Sequence, residues 1–326
     1  MSVVAIGVGG VALALFFGLG LYRKSRYIRN FEEEEYGRER PFIEPVSVKE
    51  GLAVYAVGSG EPVLLFPYPH GHTVEPMAQG PIAQTLAEMG RTVVSFDVPG
   101  AYRSTREPVG DIDEMIRSAD ETLDRLGIDG PVDVVGHSMG GLAALAYAVE
   151  RPQRTRRLVL VTSLSGFPAA ARWGLPGSTF RAYQLDYWRV IVWGMRLNAG
   201  RGDLALHKRL QNLMERACYH DETFSTPVAI EPDDHEKGVP IRTLWSRNMY
   251  TRLSYAARLA EVQAPTLILA GRHDPEAPLP CSEELLAGIP GASLVVFEES
   301  GHFPYIEEAA LFGETLDAFF SAGSAQ

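Results

Sequence analysis

Ser138 stands in Gly136-His137-Ser138-Met139-Gly140, a G-x-S-x-G pattern. The apolar run Val132–Val135 precedes it, and the small-residue helical run Met139–Val149 follows. A serine on such a strand-to-helix turn sits at a sharp, strained corner, and its hydroxyl is lifted above the sheet edge. Side chains at the flanking positions would clash there, and glycine removes them. The free N–H of Met139 and the start of the helix face the negative charge that forms when the hydroxyl attacks a carbonyl. A serine hydroxyl is a poor nucleophile on its own. It needs a base, and the base needs an acid to orient it.

Both partners are expected later in the chain, acid before base. Asp274 lies in Gly271-Arg272-His273-Asp274-Pro275, after the apolar run Thr266–Ala270. His302 lies in Glu299-Ser300-Gly301-His302-Phe303, after Ser293–Phe297. Each falls at the carboxyl end of a predicted strand, the edge where open α/β sheets gather their sites. The sequence therefore predicts Ser138 as nucleophile, His302 as general base and Asp274 as the group that fixes the imidazole tautomer. Asp97 is the main rival acid, but it precedes the nucleophile; Glu298 and Glu299 are too near His302 in sequence. Of eight histidines, His302 stands out by its place beside Gly301 after the last strand, and His273 is a bystander on the acid loop. His207, His220 and His235 fall in an insertion.

An oxyanion hole needs a second N–H besides Met139. It is expected from Pro67-Tyr68-Pro69-His70-Gly71-His72, the loop after Pro62–Phe66. Pro69 has no N–H, so Tyr68 is the preferred donor, with His70 or Gly71 as alternatives. His70, His137, Trp188 and Trp245 are the candidate substrate-binding residues. His70 and His72 have no carboxylate spaced beside them as a metal ligand set requires, so no metal is expected.

The elements that must position these groups alternate. Val46–Val57 reads as a hairpin about Gly51. Pro62–Phe66, Thr92–Phe96, Val132–Val135, Leu158–Val161, Thr266–Ala270 and Ser293–Phe297 read as short buried strands. Between and after them, Ile82–Met89, Ile112–Leu126 (Asp111 as N-cap, Gly127 as stop), Met139–Val149, Ser282–Ala287 and Glu307–Phe320 have helical spacing. Strand–helix alternation of this kind builds a largely parallel sheet of about eight strands, covered on both faces. Residues 164–263 break the rhythm. They are rich in Trp, Arg and Tyr and read as a helical cap inserted between the core segments 46–163 and 264–326.

The chain of 326 residues is 46% apolar and 22% charged, which excludes a disordered or fibrous protein. A net charge of −11 repels nucleic acid. Cys218 and Cys281 are the two cysteines; no disulfide framework or zinc knuckle fits them. Residues 2–22 carry no charged side chain, which is enough to span a bilayer as a helix. Arg23, Lys24, Arg26 and Arg29 follow it, so the rest of the chain is expected on the cytoplasmic side of a single-pass anchor. Residues 23–45, with the acidic stretch Glu32–Glu35, read as a linker.

At the Gly136–Gly140 turn, the Asp274 loop and Gly301-His302, the chain resembles the α/β-hydrolase fold superfamily from about Pro45 to Phe320. Phe96-Asp97-Val98-Pro99-Gly100-Ala101-Tyr102-Arg103-Ser104 is similar to that family's D-x-R-G-x-G-x-S loop, with Pro99 in place of its first arginine. Two departures matter. Proline iminopeptidase relatives carry H-G-G-P-G where Pro67-Tyr68-Pro69-His70-Gly71 stands, and Gly-Ser-Trp-Gly where this chain has His137-Ser138-Met139-Gly140, a form closer to esterases. The resemblance implies a serine hydrolase that cleaves a carboxylic ester, with no cofactor and a small-molecule ester or amide as substrate; the run 2–22 would anchor it to a membrane. The aromatic cap residues Trp173, Tyr183, Tyr187, Trp188, Trp193 and Trp245 suit an apolar substrate portion. The alternatives are a proline iminopeptidase-like aminopeptidase, whose substrate amine Glu231, Asp233, Asp234 or Glu236 would hold, an acyltransferase, and a catalytically inactive binding protein on the same fold.

Overall fold

A computed structural model describes residues 43–69, 77–101, 103–108, 110–169, 172, 192, 216–221 and 253–322. The expected anchor over 2–22, nearly all of the linker, His70, His72 and most of the cap, with Trp188 and Trp245, lie outside the described residues. Among the described residues no helix is long and apolar enough to cross a membrane.

Eight strands form one sheet: β1 Ser47–Lys49, β2 Leu52–Gly58, β3 Pro62–Leu65, β4 Thr92–Phe96, β5 Val132–His137, β6 Thr155–Val161, β7 Thr266–Gly271 and β8 Ser293–Phe297. Their order is β1-β2-β4-β3-β5-β6-β7-β8. The β1–β2 and β2–β4 pairings are antiparallel, and the remaining pairings are parallel. The hairpin turns at Gly51 with φ +75°, a conformation open to glycine.

Alternation along the strands gives the sheet two apolar faces. Leu64, Val134, Leu158, Leu160 and Ile268 pack into one core with α2 (Ile112–Arg125), α3 (Ser138–Glu150) and α4 (Leu279–Gly288). Val63, Leu65, Val135, Val159, Val161, Leu267 and Leu269 face the other core, closed by α1 (Pro81–Glu88) and by Phe312, Leu316 and Phe320. Strands buried on both faces read as unbroken apolar runs, which is why they were visible in the sequence. Asp111 caps α2 by accepting from the Glu114 N–H at 2.7 Å, and Gly127, at φ +68°, ends it.

One expected element is corrected. The closing helix does not run unbroken over Glu307–Phe320. It is divided into α5 (Pro304–Glu307) and α6 (Ala309–Ser321), with Glu308 non-helical at φ −126°, ψ 49° between them. The reason is local. The Glu308 carboxylate turns back to accept from Ser300 Oγ at 2.6 Å and Glu299 N at 3.1 Å, which ties the helix break to the loop carrying His302.

Candidate active site

The carboxyl ends of β3, β5, β7 and β8 deliver Tyr68, Ser138, Asp274 and His302 to one edge. Ser138 holds φ +52°, a left-handed conformation that costs a non-glycine residue of order 1–3 kcal/mol. Close packing maintains it. A methyl group on Gly136 would run into the Gly140 carbonyl and lie 2.7 Å from Gly141 Cα. One on Gly140 would lie 2.8 Å from the Phe66 carbonyl oxygen, so the loop after β3 presses directly on the turn. The Ser138 carbonyl accepts from Ser163 Oγ at 2.9 Å.

Asp274 and His302 are bonded to each other: Nδ1 lies 2.7 Å from Oδ2. Both are almost fully buried, at 4% and 3% exposure. The other carboxylate oxygen, Oδ1, accepts from the N–H groups of Glu276 (2.8 Å) and Ala277 (3.0 Å), which fixes its orientation. The acid and base loops are zipped together by Arg272 N to the Phe297 carbonyl and His273 N to the Ser300 carbonyl, each at 2.9 Å. Burial alone would lower the His302 pKa, but the charge and hydrogen bond of Asp274 outweigh it and hold the imidazole above its ordinary value. Asp97 is a structural acid. Its Oδ2 accepts from Tyr55 Oη at 2.7 Å and Arg103 N at 2.9 Å.

His302 Nε2 is not hydrogen-bonded to Ser138 Oγ; it faces Glu276 Oε2 at 3.6 Å. In hydrolases without substrate, nucleophile–base contacts are often long and tighten on binding. The backbone brings the two residues together nonetheless. His137 Nε2 donates to the His302 carbonyl at 2.9 Å, and the two rings lie 4.7 Å apart. Thr162 Oγ1 donates to the same carbonyl at 3.0 Å.

His137 has a different part from the substrate contact expected of it. It is 1% exposed, and both ring nitrogens are engaged. A carbonyl only accepts, so Nε2 carries the proton and Nδ1 accepts from the Tyr68 hydroxyl. Burial first, and then the neighbouring His302 charge, push its pKa well down, which keeps the ring neutral. Tyr68 therefore braces the turn through its hydroxyl, and the start of α3, with Met139 packed at the core margin, lies against the same loop.

Sequence reasoning passed over a clamp on the far side of His302. The Glu307 carboxylate accepts from Gly301 N (2.7 Å), His220 N (2.6 Å) and Asp221 N (3.2 Å). The His302 N–H donates to the Cys218 carbonyl at 2.7 Å. The His220 and His273 rings stack at 3.7 Å, and Tyr219 lies 4.6 Å from Phe303. A short piece of the insertion thus grips both the acid loop and the base loop. Cys218 and Cys281 are buried and not joined in a disulfide, and burial pushes the Cys281 thiol up to about 12, so Cys281 is no rival nucleophile.

Sheet order, strained serine turn and bonded acid–base pair together define an α/β hydrolase. The family model described as alpha/beta hydrolase fold matches residues 69–309, and the chain belongs to that family. It is similar to a 2-hydroxy-6-oxononadienedioate/2-hydroxy-6-oxononatrienedioate hydrolase of Pseudomonas putida, 30% identical over 246 residues, covering 72% of this chain and 78% of that one. A 2-hydroxymuconate semialdehyde hydrolase of Pseudomonas putida is 29% identical, over 82% of this chain and 90% of its own length. Among solved structures, an alpha/beta fold family hydrolase from Bacillus anthracis aligns with TM-score 0.62 at 19% identity, over 82% of this chain and 94% of that one; it bears on the fold alone.

Proposed function

We propose that the protein is a serine hydrolase that cleaves a carboxylic ester through an acyl-enzyme on Ser138. The observation that carries this reading is the Asp274–His302 hydrogen bond, set beside a serine held at φ +52° on the same sheet edge. His302 Nε2 takes the Ser138 proton as the hydroxyl oxygen attacks the carbonyl carbon. The Met139 N–H and the Tyr68 N–H receive the oxyanion; one such donor is worth about 10²–10³ in rate. Collapse breaks the bond to the alcohol oxygen, and His302 returns the proton to it. Water then attacks the acyl-serine with the same base, releasing the acid and restoring Ser138. Asp274 stays ionised and stabilises the imidazolium. Every proton is carried by His302, so the cycle calls for no cofactor.

The relatives favour a second reading. The substrates in their names, a 2-hydroxy-6-oxononadienedioate or -trienedioate for one and 2-hydroxymuconate semialdehyde for the other, have no ester, so hydrolysis there must break a carbon–carbon bond beside the oxo group. The same serine and base would serve that chemistry. A panel of aryl acyl esters, aminoacyl amides and a 2-hydroxy-6-oxo-dienoate separates the readings. Ester turnover that disappears in Ser138→Ala is the expected result. Turnover of the dienoate alone would install the second reading, and turnover of the amides alone an aminopeptidase.

We also assign the uncharged run 2–22 as a membrane tether with the hydrolase on the cytoplasmic side. Its length and the following Arg23, Lys24, Arg26 and Arg29 support this.

A further inference from the structure

Glu276 sits two residues beyond Asp274, and the hydrogen bond from its N–H to Asp274 Oδ1 at 2.8 Å fixes its backbone. Its carboxylate Oε2 lies 3.6 Å from His302 Nε2, the nitrogen left open once Asp274 has taken Nδ1. The Glu276 side chain is 37% exposed and the His302 side chain 4% exposed, so the carboxylate stands between the buried base and solvent. Among the described residues Glu276 makes no ion pair with an arginine or lysine. Among the described residues the other charged or titratable groups around His302 are Asp274 on its far nitrogen, the neutral His137 ring at 4.7 Å, and Glu307, which holds the Gly301 N–H. None of these supplies a fixed positive charge, and the whole chain carries −11.

We propose that Glu276 is a specificity-determining residue: its carboxylate, at the open side of His302, admits neutral and cationic acyl compounds and turns away anionic ones. This rests on the serine-hydrolase reading above. It also sets the chain apart from the relatives named for a dienedioate, a dianionic substrate. A negative substrate group approaching the base meets a carboxylate that no described arginine or lysine pairs, whereas an ammonium or hydroxyl group there finds a partner. Partial exposure screens the effect, so it is a matter of roughly tenfold rather than thousands.

Three p-nitrophenyl esters of matched acyl length test this: a glutarate hemi-ester, its methyl ester and a trimethylammonio-butyrate ester. The wild-type protein is expected to favour the last two over the hemi-ester. Glu276→Gln is expected to raise the hemi-ester to methyl-ester ratio of kcat/KM about tenfold. It is also expected to move the acid limb of kcat/KM to lower pH, because an imidazolium without that neighbour loses its proton more readily. A merely structural role would move neither the ratio nor the limb. A ratio unchanged within twofold, or an acid limb that stays in place, overturns the proposal. Covalent labelling of Ser138 by a neutral fluorophosphonate in both proteins isolates the underlying reading. Labelled proteins with an unchanged ratio defeat only the role of Glu276, whereas unlabelled wild-type protein defeats the hydrolase reading itself.

Discussion

His137 donates through Nε2 to the backbone carbonyl of His302, 2.9 Å away. The residue before Ser138 therefore holds His302, and Tyr68 holds His137 from the other side. Ser138, His302 and the loop after β3 form one connected unit. Tyr68→Phe removes the hydroxyl and leaves the buried Nδ1 without its donor. An unsatisfied buried acceptor costs about 1–3 kcal/mol. Thermal unfolding should show a lower Tm for the variant, together with a lower kcat; a Tm equal to wild type would mean that the hydroxyl bears no load.

Asp274→Asn should keep the fold and lose about 10⁴-fold in kcat, because an amide presents the wrong hydrogen-bonding pattern to Nδ1. His302→Ala should lose several orders of magnitude as well. Circular dichroism and steady-state kinetics check both. Near-normal turnover in either variant would remove that residue from the mechanism.

The pH dependence follows from His302, whose pKa is raised above 6.5. Only the neutral imidazole can take the Ser138 proton, so kcat/KM should rise with pH and reach half its maximum above pH 6.5. The same shift acts on stability with the opposite slope. Between 6.5 and the raised value the folded chain binds more protons at this site than the unfolded chain. The stabilisation from the imidazolium–Asp274 pair is therefore complete below 6.5 and is lost as pH rises through the folded value. Thermal melts across this range, in wild type and Asp274→Asn, should show the decline only in the former; parallel curves would count against the pairing.

Gly136→Ala should be among the most damaging single substitutions of the turn. The added methyl has nowhere to go, because it meets the backbone of Gly140 and Gly141. Overpacking against backbone costs roughly 1–3 kcal/mol or displaces the turn. Soluble yield, Tm and labelling of Ser138 report which occurs, and full labelling at wild-type Tm would contradict the close packing.

The strands and the pairing of Asp274 with His302 were legible in the sequence for one reason: each rests on local pattern. Leu158–Val161 and Thr266–Ala270 read as buried strands because both faces of the sheet are covered, and Asp274 and His302 read as site residues because they follow strands. What was not legible depends on residues distant in sequence. Glu307 reads as one turn of a helix, yet its carboxylate accepts N–H groups from Gly301, His220 and Asp221. His137 reads as a residue packed inside the turn, but its two partners, the Tyr68 hydroxyl and the His302 carbonyl, are distant in sequence. Glu276 was not legible at all, because its place 3.6 Å from His302 Nε2 comes from the fold and not from a local pattern.

The central claim is that Ser138 attacks and His302 activates it. A fluorophosphonate incubated with the purified protein, followed by peptide mass mapping, tests it most directly. One adduct per chain on Ser138, absent in Ser138→Ala and formed far more slowly in His302→Ala, is the expected result. An intact Ser138 in wild-type protein, or an adduct that forms at the same rate without His302, would contradict the account.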